Sequence, residues 1–192
     1  MASLLRRTGG LPSFTRPSPD RGSVLRTILT LFVIFALAIL QTSATPHFPI
    51  FGIRPDLPLV FIAVWATVAR SSRVLLWAFT LGFLLDVVSG TPTGTNMLAI
   101  TFAAYVATLG GAGMFRTNLP WSLAAVATGT LVFYPTSMVI LVVQGFAIPW
   151  LSALTNTLAL AIIVNLGATL VLYWPISLLE RLTRGRRPYR IL

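Results

Sequence analysis

The sequence predicts an all-α integral membrane protein, and its composition and the spacing of its apolar residues carry that prediction. Of 192 residues, 56% are hydrophobic and only 9% are charged, whereas soluble domains carry about 25% charged residues. The apolar residues gather into six runs separated by short polar turns. Because lipid offers no hydrogen-bond partner to an irregular backbone, each run is predicted to cross the bilayer as a helix.

The six predicted helices lie at residues 24–44, 57–69, 74–88, 96–114, 120–146 and 151–179. The first is about 21 residues long, which at 1.5 Å per residue matches about 30 Å of hydrocarbon. The second is only about 13 residues long and just spans, or spans with local thinning of the bilayer. Because residues 70–73 form such a short turn, the second and third helices are predicted to form an antiparallel hairpin.

Charged residues orient the chain. The formal net charge of +10 comes from arginine alone, because the sequence has no lysine, and four acids oppose it. Most arginines lie in tails and short loops, which indicates the sorting of charge by a membrane and argues against nucleic-acid binding. On a six-crossing topology every arginine except Arg54 falls on one side, so both termini are predicted in the cytoplasm.

The predicted organisation is therefore one membrane domain between two basic cytoplasmic tails. The membrane domain covers residues 24–179. Residues 1–23 mix arginine with proline, serine and glycine, a composition too poor in apolar residues to form a core, so this tail is predicted to be disordered. Residues 180–192 form the second basic tail.

The third run holds a carboxylate at membrane depth. Asp86 has Gly82 four residues before it and Gly90 four after it, so the three share one helical stripe. An uncompensated aspartate costs a few kcal/mol in the bilayer centre. Asp86 is therefore predicted to face protein or water, and the glycines to admit a neighbouring backbone, with the second run as the first neighbour. Pro92 and Gly94 then predict a tight connection.

Two interpretations remain open for the acidic groups near the outer ends of the second and third runs. In the structural interpretation, Arg54, Asp56 and Asp86 form a semi-buried ion pair or helix caps. Asp56 stands at the N-cap position of the second helix, and Asp86 accepts hydrogen bonds from Ser89 or Thr91. In the functional interpretation, the three form a polar pocket or a docking surface on the periplasmic side.

Small and amide residues mark the last three runs. Ala103, Ala107 and Gly111 lie four residues apart and are predicted to form a stripe for close helix contact. Three amides are interpreted as hydrogen-bonding groups between helices, with substrate ligands as the alternative: Gln144, Asn156 and Asn165.

Catalytic and cofactor-binding sets are not found in the sequence. There is no cysteine and only one histidine, His47, which removes thiolate nucleophiles and histidine metal cages. The glycines form no phosphate-binding loop, which would also need a lysine. A chain that is not an enzyme and that holds no metal or cofactor is predicted.

One stretch resembles a known family. It contains Arg54-Pro55-Asp56, then GFLLDVVSG from Gly82 to Gly90, then Gly94, Leu98-Ala99 and Ala104-Tyr105. This order and spacing resembles the MreD family of bacterial rod shape-determining membrane proteins. The resemblance covers residues 54–105 firmly, and the six runs and the basic tail agree with it more loosely. In that family Asp86 would hold the acidic position of a G-x-x-x-D-x-x-x-G run.

The resemblance implies a fold and a function. The fold would resemble the S components of energy-coupling-factor transporters, with both termini in the cytoplasm. The protein would be a non-catalytic scaffold of the cell-elongation complex in the cytoplasmic membrane, where it helps to position peptidoglycan synthesis. It would bind MreC and, through MreC, work with the RodA glycosyltransferase, its penicillin-binding transpeptidase partner and the MreB filament.

The predicted faces for the transmembrane helix of MreC are the small-residue ones, built from Ala103, Ala107 and Gly111 or from Gly82 and Gly90. Two other functions stay open. One is a substrate-binding, S-component-like transporter subunit that holds a small solute in the outer polar cluster. The other is a helper subunit of an energy-transducing complex.

Overall fold

The computed structural model describes residues 21–43, 49, 52–69, 73–110, 118–147, 149–150 and 154–183. Within them the chain forms six α-helices: α1 (Arg21–Ser43), α2 (Leu57–Val68), α3 (Val74–Ser89), α4 (Thr95–Gly110), α5 (Leu119–Val143) and α6 (Ala159–Thr183). The all-helical prediction is confirmed. Gly111, His47, and most of the two predicted tails lie outside the described residues.

A π-helical turn, Leu154–Leu158, precedes α6. The sequence pattern predicts one continuous helix from residue 151, and the turn replaces its first part. A π-helical hydrogen bond joins residues five apart in sequence, one more than in an α-helix. Side chains before and after the turn therefore follow different helical phases. A single helical period along the sequence cannot predict this change.

Helix α2 lies at the centre of the fold. It contacts all five other helices, and ten of its twelve residues are buried. Twelve residues make a helix of about 18 Å, well short of about 30 Å of hydrocarbon. Because protein surrounds α2 on all sides, its short length does not leave its polar ends against lipid.

The lengths of the helices fall into two groups. Among the described residues, Leu119–Val143 and Ala159–Arg181 are long and apolar enough to cross a membrane on their own. The apolar parts of the other four helices are shorter: Thr27–Ser43, Leu57–Val68, Val74–Ser89 and Thr95–Leu109.

The exterior of the bundle differs from that of a soluble domain, although the interior is largely apolar as well. Large apolar side chains face outward, for example Phe32 on α1, which is 69% exposed, and Val171 on α6, which is 73% exposed. Hydroxyl groups lie inside, where Thr67 on α2 and Ser122 on α5 are buried and share a hydrogen bond of 2.8 Å. Interior polar groups that bond one another and an apolar exterior suit a protein surrounded by lipid.

Candidate functional site

The carboxylate of Asp86 caps the beginning of α4. Only 3% of the residue is exposed. Its Oδ1 accepts hydrogen bonds from the Thr91 hydroxyl (3.0 Å), the Asn96 backbone amide (2.8 Å) and the Asn96 side-chain amide (3.0 Å). Its Oδ2 accepts from the backbone amides of Gly94 (2.8 Å) and Met97 (3.2 Å). Both oxygens are thus supplied with donors by the α3–α4 connection and the first turn of α4.

This arrangement compensates for the burial of a charge. The first amides of a helix have no partner within the helix, and the helix dipole places partial positive charge there. A carboxylate offers about four lone-pair sites, and five donors surround that of Asp86. Such a group is suited to hold two helices together.

Gly82 lies one turn before Asp86 on the same face of α3 and lets α4 approach. A Cβ at this position would stand 2.5 Å from the Met97 Cα, 2.7 Å from the Asn96 carbonyl oxygen and 2.8 Å from the Met97 amide nitrogen. No real Cβ tolerates such contacts with backbone atoms. The close neighbour of this stripe is therefore the start of α4, and the expectation that α2 is its first neighbour is corrected. Hydrogen bonding decides this, because the free amides of α4 attract the carboxylate.

Gly90 and Gly94 contribute backbone conformation. Gly90 ends α3 with φ +66° and Gly94 precedes α4 with φ +99°, values that disfavour residues with a side chain. A Cβ at either position would meet nothing within 4 Å. Gly90 therefore does not serve the close helix approach that the stripe suggested. Of the two hydroxyls expected as donors to Asp86, that of Thr91 makes the bond. The Ser89 hydroxyl donates to the Leu85 carbonyl and contacts Thr91 instead.

Gln144, just after α5, ties the end of that helix to the α3–α4 connection. Its Oε1 accepts from the Thr95 hydroxyl at 3.4 Å, and its Nε2 donates to the Thr93 carbonyl at 3.2 Å. Three helices thus meet around the Asp86 cap.

A second polar cluster joins the beginning of α2 to α5 and α6. The Asp56 amide donates to Asn165 Oδ1 at 2.9 Å. Asp56 Oδ2 accepts from the Tyr134 hydroxyl at 2.9 Å and from Asn165 Nδ2 at 3.4 Å. Asn165 is fully buried and also donates to the Thr130 hydroxyl at 3.2 Å. The amide of Asn165 therefore bonds between helices.

The expected cap and ion pair at Asp56 are not formed within the described residues. Asp56 occupies the N-cap position of α2, but its side chain makes no capping hydrogen bond, because its carboxylate turns to Tyr134 and Asn165 instead. It makes no ion pair with Arg54 either. The side-chain oxygen of Gln41 on α1 accepts from the Leu57 amide at 3.1 Å and satisfies this end of α2.

A cavity of about 400 Å³ lies between the two clusters. Helices α1 to α5 all contribute to its wall, which includes Arg54, Asp56 and Asn96 among polar residues and Leu85 and Phe133 among apolar ones. Of the three residues expected to form a polar pocket, Arg54 and Asp56 line this cavity and Asp86 does not.

The small residues of α4 pack inside the chain. Ala103 is 1% exposed and Ala107 is 3% exposed. A Cβ added to Gly129 on α5 would stand 4.0 Å from that of Ala103 and 3.8 Å from that of Ala63 on α2. The stripe therefore makes close contacts with α2 and α5 of the same chain, and Gly111 lies outside the described residues.

Some residues of the two polar clusters were not singled out by the sequence pattern as site residues, among them Asn96 in the Asp86 cap and Thr130 and Tyr134 in the Asp56 cluster. Thr130 and Tyr134 lie four residues apart on α5 and share a face. Polar side chains within a predicted membrane helix need partners in protein, and that signal was present. The sequence pattern does not identify the hydrogen-bond partners, because they are far apart along the chain. Asp56 and Asn165, for example, are 109 residues apart.

The family comparison covers nearly the whole of this architecture. The model described as rod shape-determining protein MreD matches residues 23–183, which includes both polar clusters and all six helices apart from the first two residues of α1. The chain belongs to the MreD family. Neither a curated protein nor a solved structure matches it.

Membership in the MreD family establishes the broad role of the chain. It is a rod shape-determining membrane protein, and it works together with the other shape-determining proteins of the rod complex. The family is one of structural proteins and is not known for an enzymatic activity. Among the described residues, no group of three or more His, Cys, Asp or Glu side chains is placed to hold a metal ion.

Proposed function

We propose that this chain is a non-catalytic membrane scaffold of the cell-elongation complex that binds MreC and so helps to position peptidoglycan synthesis. Through MreC it would work with RodA, the penicillin-binding transpeptidase and the MreB filament. The observation that carries the proposal, beside family membership, is the Asp86 cap. The central motif has one carboxylate within a helix, that of Asp86. It accepts five hydrogen bonds that hold α3 to α4, which is a structural role of the kind expected in a scaffold.

The proposed topology has six crossings with both termini in the cytoplasm. Its support is the distribution of arginine, since a six-crossing chain leaves Arg54 as the one arginine on the outer side. The shorter helices α2, α3 and α4 then cross as part of a bundle whose interior bonds satisfy their ends. In the same proposal, the arrangement of the other helices around a central α2 resembles that of the S components of transporters.

We place the MreC contact on the outward face of α4. Leu98, Phe102, Tyr105 and Leu109 recur at helical spacing and are 46–59% exposed. Ala103 and Ala107 face the opposite way, so their part is indirect: they let α4 pack tightly on α2 and α5 and thereby fix this outer stripe. Leu98 and Tyr105 also fall in the stretch that resembles the family, and about half of each residue is exposed.

Co-purification tests this proposal. A tagged full-length chain, solubilised from membranes in mild detergent, is expected to recover MreC. Replacement of Leu98 and Phe102 by alanine should reduce the recovered MreC several-fold while the chain itself accumulates normally. The matched control replaces Ile163 and Val171 on the outward face of α6, which are 60% and 73% exposed, and should change nothing. Failure of the wild-type chain to recover MreC would contradict the proposal.

The cavity favours a second candidate, a membrane subunit that binds a small solute. Its volume of about 400 Å³ lies within the usual range of ligand pockets, about 300–1,000 Å³. A screen of vitamins by thermal shift would support this function if one of them stabilised the purified chain saturably. Stabilisation by a vitamin, together with no recovery of MreC, would replace the scaffold proposal.

A further inference from the structure

Two opposite charges at the wall of the cavity keep unused hydrogen-bonding capacity. Arg54 lines the cavity and makes no hydrogen bond or ion pair with any described residue. Asp56 lines it as well, and both of the hydrogen bonds to its carboxylate go to Oδ2. Oδ1 of Asp56 therefore has no donor in the part of the chain that the structure describes, and the two charged side chains do not pair with each other.

Arg54 is exposed and Asp56 is partly buried, so both charged groups are available to a molecule that enters the cavity. Here a cation and an anion only two residues apart in sequence each keep bonding capacity. A ligand that carries both charges could satisfy both groups.

The chemistry of the two side chains defines that ligand. The planar guanidinium of arginine matches the oxygens of a phosphate or carboxylate. A carboxylate oxygen without a donor accepts a hydrogen bond from an ammonium group. The ligand therefore combines an ammonium N–H with a phosphate or carboxylate, as phosphoethanolamine and amino acids do.

The opposite wall adds an apolar requirement. Leu85, Val88, Ile100 and Phe133 contribute aliphatic and aromatic surface to the same cavity. Val88 is also 41% exposed on the outside of α3, so the cavity reaches the outward surface of the bundle there. A volume of about 400 Å³ accommodates a headgroup with the first part of a hydrocarbon chain, and the rest of such a chain would continue along the exterior.

We propose that this cavity binds a zwitterionic group, with its phosphate or carboxylate on Arg54 and its ammonium on Asp56 Oδ1. A phosphoethanolamine group has this chemistry, and it can come from the headgroup of phosphatidylethanolamine or from a free molecule. The assignment stands apart from MreC binding and uses residues that the Asp86 cap does not involve.

Native mass spectrometry of the full chain in detergent tests the assignment. The chain is titrated with phosphatidylethanolamine, phosphatidylcholine, phosphatidylglycerol and free phosphoethanolamine. Phosphatidylethanolamine should bind about tenfold more tightly than either other lipid, because phosphatidylcholine has no ammonium N–H and phosphatidylglycerol has no cation. Comparable binding of free phosphoethanolamine would assign the site to a soluble zwitterion, whereas binding of the lipid alone would assign it to the membrane. Equal binding of the three lipids, with no binding of free phosphoethanolamine, would overturn the proposal.

Paired variants separate the cavity from the general surface. Arg54→Gln should weaken phosphatidylethanolamine about tenfold, whereas Arg181→Gln, at an exposed arginine on α6, should leave it unchanged. Val88→Phe should fill the cavity and abolish binding, whereas Val87→Phe, on a neighbouring side chain that is 63% exposed and does not line the cavity, should not. Melting temperatures without lipid confirm that each variant is folded. If folded Arg54→Gln and Val88→Phe bind the lipid as tightly as their controls do, the site is not this cavity.

Discussion

Two aspartates in this protein, Asp56 and Asp86, lie near helix ends but differ in hydrogen bonding and burial. Both oxygens of Asp86 accept hydrogen bonds, from five donors in total, and the residue is buried. Asp56 uses one oxygen for two donors, is only partly buried and lines a cavity. The first carboxylate is part of the fold, and the second retains capacity for another group.

The source of the donors explains the difference. Three of the five donors to Asp86 are backbone amides of the start of α4 and its preceding residue, and a substitution elsewhere cannot remove them. Both donors to the Asp56 carboxylate are side chains, of Tyr134 and Asn165. Side-chain substitutions can therefore remove every donor to the Asp56 carboxylate, but only two of the five donors to Asp86.

Replacement of Asp86 by leucine should have the largest effect. It leaves the backbone amides of Gly94, Asn96 and Met97 without their acceptor, and we expect a loss of about 3–5 kcal/mol in the free energy of unfolding. Asp86→Asn is the matched control, because it keeps the shape and one acceptor oxygen, and it should lose clearly less. Unfolding in mixed micelles and accumulation in the membrane measure both. Equal tolerance of leucine and asparagine would show that the carboxylate is not needed to hold α4.

Gly82→Ala tests whether the cap depends on the close approach of α4. A methyl group 2.5 Å from the Met97 Cα must displace backbone, so we expect a loss of about 3 kcal/mol. Gly167→Ala on α6 is the control, because a Cβ there meets nothing within 4 Å. It should be neutral or stabilising by about 0.5–1 kcal/mol, as expected for alanine in a helix. Similar melting temperatures for the two variants would mean that α3 and α4 are not packed this closely.

Gly94→Ala should have a smaller effect of about 1–2 kcal/mol, because the residue has φ +99°. Gly145 has φ +92° but does not contact Asp86, so Gly145→Ala measures the strain alone. A greater loss of thermal stability at Gly94 than at Gly145 would report the contribution of its amide to the cap. The reverse order would indicate that this amide adds little.

Tyr134→Phe should have the smallest effect. It removes one of the two donors to the Asp56 carboxylate and should cost about 1 kcal/mol. Tyr105→Phe is the control, since the Tyr105 hydroxyl is on the surface and makes no hydrogen bond to a described residue. Melting temperatures of the two variants in the same detergent make the comparison. A loss as large as that of Asp86→Leu would erase the distinction between the two clusters.

Local pattern was sufficient to predict that Gly82 and Asp86 are unusual, but it did not single out Tyr134 or Thr130. The four-residue spacing of Gly82 and Asp86 shows that they share a face, and the cost of a charge in lipid shows that the face needs a partner. The helices themselves follow from the apolar runs. The order and spacing of motif residues between positions 54 and 105 predicted the MreD family, and the family model then matched residues 23–183.

The identity of the partners was beyond the sequence. Loop length suggested α2 as the neighbour of α3, but the free amides of α4 provide hydrogen bonds that loop length does not reflect. Asp56 resembles an N-cap locally, yet a tyrosine and an asparagine distant in sequence draw its carboxylate away. A stripe of alanines on α4 signals close packing without specifying whether the packing lies inside the chain or against another protein.

Complementation with Asp86→Asn tests most directly whether Asp86 positions helices or performs chemistry. Cells depleted of the native protein are supplied with the variant, and cell width, membrane accumulation and melting temperature are measured together. We expect rod shape to be retained in proportion to the amount of folded protein that accumulates. Rounded cells containing a variant that accumulates and melts like the wild type would contradict the account, because Asp86 would then act through its charge and not through the fold.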